Sequence, residues 1–146
     1  MPNWCLNKLT VSHTDKAAMD RFVNAYNESR LCQEFLPLPK GEDWYAWRIA
    51  NWGTKWDVGA GENEQYGLRA TVAHDEANCS FDSAWAPPVG LYQELVLQGY
   101  RVIASYYEPG MGFCGTWIDG NDNYIEYNNE EDIPVAIQND FNMTIG

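Results

Sequence analysis

Positive charge is what this chain has least of: 9 Lys and Arg stand against 21 Asp and Glu in 146 residues, for a formal net charge of −12. The sequence pI is about 4.3. After Arg101 there is no Lys or Arg at all. Such a surface repels phosphate, so direct binding to nucleic acid or to an anionic membrane is excluded as a primary role, and basic proteins become the natural partners. Only two histidines are present, and the four cysteines include no CxxC pair and no histidine at zinc spacing, which leaves no metal site and no cofactor to expect. No apolar run approaches the ~20 residues of a membrane helix. The stretch Met1-Pro2-Asn3-Trp4-Cys5 lacks the basic and apolar regions of a leader, so reduced thiols and a cytoplasmic location are predicted.

Aromatic residues, by contrast, make up 14% of the chain while charged residues fall to 21%. They concentrate in Asn51-Trp52-Gly53-Thr54-Lys55-Trp56-Asp57, which follows Trp44-Tyr45 and Trp47. A tryptophan cluster around a tight turn is either a plug for a hydrophobic core or a surface that binds something flat. The core role is expected for Trp52 and Trp56, with Lys55 pairing with Asp57 or another acid at the rim. A chain of this length suits a single domain over residues 1–146, burying about 68–70% of its extended surface.

Alternation over Trp4 to Val11 predicts an opening strand, and Ser12-His13-Thr14-Asp15 supplies capping side chains for a helix running to about Arg30. Phe35-Leu36-Pro37-Leu38-Pro39 reads as an extended crossing segment, because proline lacks the donor a helix needs. A short helix follows from Glu42 to about Ala50, and Glu62, Asn63, Glu64 and Gln65 lie in a glycine-flanked loop. Leu68 to Ala73 and Cys79 to Ser83 form a hairpin around Asp75-Glu76-Ala77-Asn78. Trp85-Ala86-Pro87-Pro88 then opens a second helix that stops near Gly99. Tyr100 to Tyr107 and Phe113 to Ile118 pair across Glu108-Pro109-Gly110-Met111-Gly112, with a further strand at Tyr124 to Tyr127. Asp132 caps a last helix that turns Ile133, Ile137 and Phe141 inward. This order predicts an α+β, ferredoxin-like (split βαβ) sandwich: an antiparallel sheet with helices on one face, plus a strand and a helix added in an acidic extension from about residue 119 to 146.

Several spaced motifs carry a resemblance. They are Pro2-Asn3-Trp4-Cys5 leading into Asn7-Lys8-Leu9-Thr10-Val11, then the Asn51 to Asp57 motif, Phe81 with Ala84-Trp85-Ala86-Pro87-Pro88, and Glu108-Pro109-Gly110 with Phe113 and Gly115. Together they resemble the YubB-type family of phage- and plasmid-encoded proteins of unknown function, over nearly the whole chain to about residue 117. The resemblance implies a ferredoxin-like domain and a mobile-element origin, and it implies no catalytic residue. Proteins of this origin often act against host defences, an association and not a chemistry.

No converging catalytic motif is present, so an enzyme is not expected. His74-Asp75 with Cys79 imitates a thiol–base pair without a cleft, and Asp119-Gly120-Asn121-Asp122-Asn123 is better suited to a turn than to a cation loop. The expected function is binding and inhibition: a basic, nucleic-acid-handling or defence protein of the host would meet Asp119, Asp122, Glu126, Glu130, Glu131 and Asp132 as the field, with Tyr124 and Tyr127 as anchors. The alternative is a small-ligand or nucleotide pocket built from Trp52, Trp56 and Trp85, with Lys55 meeting an anionic end.

Overall fold

The computed structural model describes residues 3–61 and 66–143. The predicted loop at Glu62, Asn63, Glu64 and Gln65 therefore lies outside the described residues. The chain runs β1 (Trp4–Ser12), α1 (Lys16–Asn27), α2 (Leu31–Phe35), α3 (Trp44–Asn51), β2 (Gly67–Ala73), β3 (Glu76–Ala84), α4 (Val89–Leu97), β4 (Arg101–Glu108), β5 (Phe113–Ile118), β6 (Asn121–Glu126), a 3-10 turn at Glu130–Asp132, and α5 (Val135–Asp140). The strands form one antiparallel sheet in the order β2-β3-β1-β4-β5-β6.

β1 is central because its alternation is strict: Cys5, Asn7, Leu9 and Val11 are buried while the residues between them are not. Register places Leu9 between Cys79 of β3 and Ala104 of β4, and Val11 between Ala77 and Val102. Those side chains share one face with Met19, Phe22 and Tyr26 of α1, Phe35 of α2, and Leu91 and Leu95 of α4, which form the main core. Asp15 caps α1 through Ala17 N, as the sequence predicts.

The predicted hairpin turn at Asp75-Glu76-Ala77-Asn78 shortens to His74-Asp75, because Glu76, Ala77 and Asn78 already pair within the sheet, and three further features change. Helices do not occupy one face only: Ile133 and Ile137 pack with Cys114, Tyr107, Ile125 and Phe141 on the opposite face, because the chain leaving β6 turns under the sheet. Asp132 does not cap α5. It ends the 3-10 turn, and Pro134 takes the N-cap position without a side-chain bond. The crossing segment is preceded by α2, a short helix ending at Phe35, and only the residues after it are extended. Among the described residues no helix is long and apolar enough to cross a membrane.

All four cysteines are free and buried. Burial pushes the Cys5 thiol up from 9.0 to about 12, against a weaker opposing backbone hydrogen bond from Tyr107, and burial raises Cys32 and Cys79 as well. The folded chain thus holds protons that the unfolded chain releases near pH 9. The stability they supply is intact below the unfolded value and is lost as pH rises toward the folded one. Urea unfolding is expected to show stability falling above pH 9 by about 1.4 kcal/mol per pH unit for each buried thiol, and Cys5→Ala should remove one thiol's share of that slope. Stability that stays level between about pH 8 and 11 would contradict this account.

Candidate functional sites

The aromatic motif splits at Gly53, whose φ of +87 reverses the chain. Before the turn, Trp52 is fully buried and its indole N–H donates to Leu36 O at 2.7 Å. Beyond it, Trp56 is 42% exposed, so the expectation that both tryptophans are buried holds for Trp52 alone. Trp56 stacks on Trp44 at 5.5 Å, and Trp85 and Tyr45 lie close by, both also exposed. The Lys55 ammonium sits 5.0 Å from the ring of Trp56, 5.3 Å from Trp85 and 5.5 Å from Tyr45. Three electron-rich ring faces therefore replace the acid expected at its side.

Asp57 does not pair with Lys55 because its oxygens are taken elsewhere. They accept from Cys32 N at 2.6 Å, Gln33 N at 3.0 Å and Val58 N at 2.8 Å, closing the start of α2. Burial raises its carboxyl above the ordinary value, and these three backbone donors oppose the shift. The four residues of the alternative pocket, Trp52, Lys55, Trp56 and Trp85, consequently do not line one cavity: Trp52 belongs to the core, and the Lys55 ammonium already lies over a ring face of Trp56 and of Trp85.

The acidic set divides as well. Asp119 is 2.9 Å from the Arg101 guanidinium and accepts from Val102 N at 2.8 Å, so its charge is partly spent at the β4 end. Register puts Asp122, Tyr124 and Glu126 of β6 opposite Trp117, Gly115 and Phe113, on the helix side of the sheet but beyond the helices. There Tyr124 is 51% exposed, and its ring lies 5.3 Å from that of Phe113. Asp122 accepts the Tyr106 hydroxyl at 2.6 Å, and Glu126 accepts that of Tyr124 at 3.2 Å. Burial, then the bond to Asp122, pushes the Tyr106 phenol up and keeps it a donor. Tyr127 points the other way and stacks on Tyr107 beside α5. Glu130, Glu131 and Asp132 stand exposed on the 3-10 turn. Phe113 was absent from the sequence-derived set, although its alternation with Cys114 along β5 is the signal that pairs it with Tyr124 across the strands.

Chemistry elsewhere is sparse. Cys79 is buried beside Leu9 while His74 is exposed in a left-handed turn, so no thiol–base pair forms. Among the described residues no group of three or more His, Cys, Asp or Glu is placed to hold a metal ion.

No family model matches the sequence, and no curated protein matches it. A solved structure with a similar arrangement is that of the protein api92 from Yersinia pseudotuberculosis, assigned to the family model DUF1281. The two are 17% identical with a TM-score of 0.48, over 68% of this chain and 40% of that one. This chain therefore spans less than half the length of that protein.

Proposed function

We propose that this chain is a non-enzymatic binding protein that captures a basic protein, of the nucleic-acid-handling or defence kind, and inhibits it by covering its cationic surface. The observation that carries this is the exposed Tyr124 ring beside the half-buried Phe113, with ring centroids 5.3 Å apart, flanked by Asp122 and Glu126 in a region that holds no basic residue after Arg101. A flat aromatic anchor ringed by carboxylates suits an arginine or lysine side chain, whose charge meets the acids while its stem lies on the ring. Glu130, Glu131 and Asp132, exposed on the following turn, extend the same field. The mobile-element character of such an inhibitor is supported by the spaced motifs from Pro2 to Gly115.

The frame that presents this surface fits a ferredoxin-like, split βαβ plan. The order β2-β3-β1-β4, with α1 and α4 on one face, supports that plan, and β5, β6 and α5 are then additions to it. On this reading the additions carry the function, since they hold the anchor and the exposed acids Glu130, Glu131 and Asp132.

The test is a capture experiment with wild type and two variants, followed by repetition with the purified partner. Glu130→Lys with Glu131→Lys should leave the melting temperature within about 1 °C, because exposed charges contribute little to stability. Association should slow at least tenfold, and wild-type association should weaken steeply with salt. Tyr124→Ala should speed dissociation instead. A charge-reversed protein that binds or inhibits at full strength would reduce the acidic surface to a solubility device.

A further inference from the structure

Away from the acidic edge, a cavity of about 480 Å³ opens between the start of β1, the end of β3 and the segment that follows α3. Trp4, Trp56, Tyr66, Val58 and Ala84 give it a mainly apolar lining, and no Lys or Arg is among its described lining residues. Trp4 and Tyr66 stack at 5.0 Å with planes 27° apart. Tyr66 is tied to β3 by its carbonyl, which accepts from Asp82 N at 2.8 Å.

The charge in this lining comes from two carboxylates, and only one is free to act. Asp57 is committed to three backbone N–H groups. Asp82 has no hydrogen bond or ion pair to its carboxylate among the described residues, and burial raises its carboxyl above the ordinary value. Lys8, on the adjoining strand, reaches the Asp140 carbonyl at 3.5 Å instead. The Ser83 hydroxyl, also at the cavity, is engaged by Asn7 at 2.8 Å and donates to Ala86 O at 2.6 Å. A half-desolvated, unpartnered carboxylate among aromatic rings lacks its counter-charge, and both ring faces and carboxylate favour the same sign.

We propose that this cavity binds a small organic cation of the arylalkylamine class, with its ring against Trp4, Tyr66 and Trp56 and its ammonium at Asp82. The volume lies in the ~300–1,000 Å³ range of small-molecule sites and is too small for a folded partner. The sign of the ligand is opposite to the one expected from Lys55, because that ammonium is already held by Tyr45, Trp56 and Trp85. The site is separate from the acidic edge, so the two readings stand or fall independently.

Three probes with one ring and three charges test it: 2-phenylethylamine, 2-phenylethanol and phenylacetate, titrated into ¹⁵N-labelled protein at neutral pH. The indole N–H resonances of Trp4 and Trp56, assigned through Trp4→Phe and Trp56→Phe, report on the cavity. The amine should shift both saturably and bind at least tenfold more tightly than the alcohol, with phenylacetate weakest. Asp82→Asn should keep the melting temperature and abolish the preference for the amine, whereas Glu130→Lys with Glu131→Lys should leave it unchanged. Absence of a saturable shift by the amine, equal affinity for amine and alcohol, or an Asp82→Asn protein that keeps the preference would each overturn the proposal. If Asp82→Asn fails to fold, the charge series on the wild-type protein decides.

Discussion

Trp52→Ala is expected to destabilise the protein by about 3–5 kcal/mol, the range for large aromatic truncations in a closed core. Trp52 is fully buried, packs edge-on to Trp47 at 6.2 Å, and lies under the Arg48 guanidinium at 4.7 Å. Its indole N–H bond to Leu36 O holds the extended segment after α2 against the core. Truncation therefore removes packing, leaves a cavity and leaves a carbonyl without its donor. For a chain of this size the melting temperature should drop by roughly 6–20 °C, taking ~2–4 °C per kcal/mol. Trp56→Ala, at a 42% exposed position in the same motif, should drop it far less. Comparable losses at the two positions in thermal unfolding would show that the split at Gly53 is wrong.

That contrast marks where the sequence was legible and where it was not. Strands and the long helix could be read because their alternation and capping are local: Leu9 and Val11 repeat at period two, and Asp15 caps the helix directly after it. Trp52 and Trp56 have the same chemistry and share one turn, so residue type could not sort them. The sorting is done by Gly53, where a Cβ would stand 3.2 Å from Val89 N, a neighbour far away in sequence. The same reason hid α2. Its N-terminal donors are satisfied by Asp57, a residue 25 positions after Cys32, and no local pattern announces a cap at that distance. Lys55 was expected to seek Asp57 for the same want of information, since Asp57 had been claimed by those backbone donors. The acidic set was legible as composition but not as geometry: the alternation within β6 separates Tyr124 from Tyr127, and only pairing with β5 brings Phe113 to Tyr124. The Asp82 cavity has no sequence signature, because Trp4, Trp56, Tyr66 and Asp82 come from four separate segments.

Gly90→Ala should destabilise the fold by about 3 kcal/mol, at the upper end of ordinary overpacking, although alanine in a helix is normally favoured over glycine by ~1 kcal/mol. A Cβ at Gly90 would lie 1.7 Å from Asn51 O, 2.7 Å from Asn51 C and 3.1 Å from Trp52 C. These are backbone atoms, which cannot rotate away as a side chain can. The first turn of α4 and the end of α3 must separate, and the bond from Gly90 N to Trp52 O at 3.2 Å is lost with them. Because α3 carries Trp44 and Tyr45, the shift should also loosen the stack of Trp44 on Trp56 and the cage around Lys55. Two measurements separate this from simple overpacking: the melting temperature should fall by roughly 6–12 °C, and the near-ultraviolet circular dichroism of the tryptophans should change well below the unfolding transition. A Gly90→Ala protein as stable as wild type, with an unaltered aromatic spectrum, would mean that α3 does not meet α4 backbone to backbone.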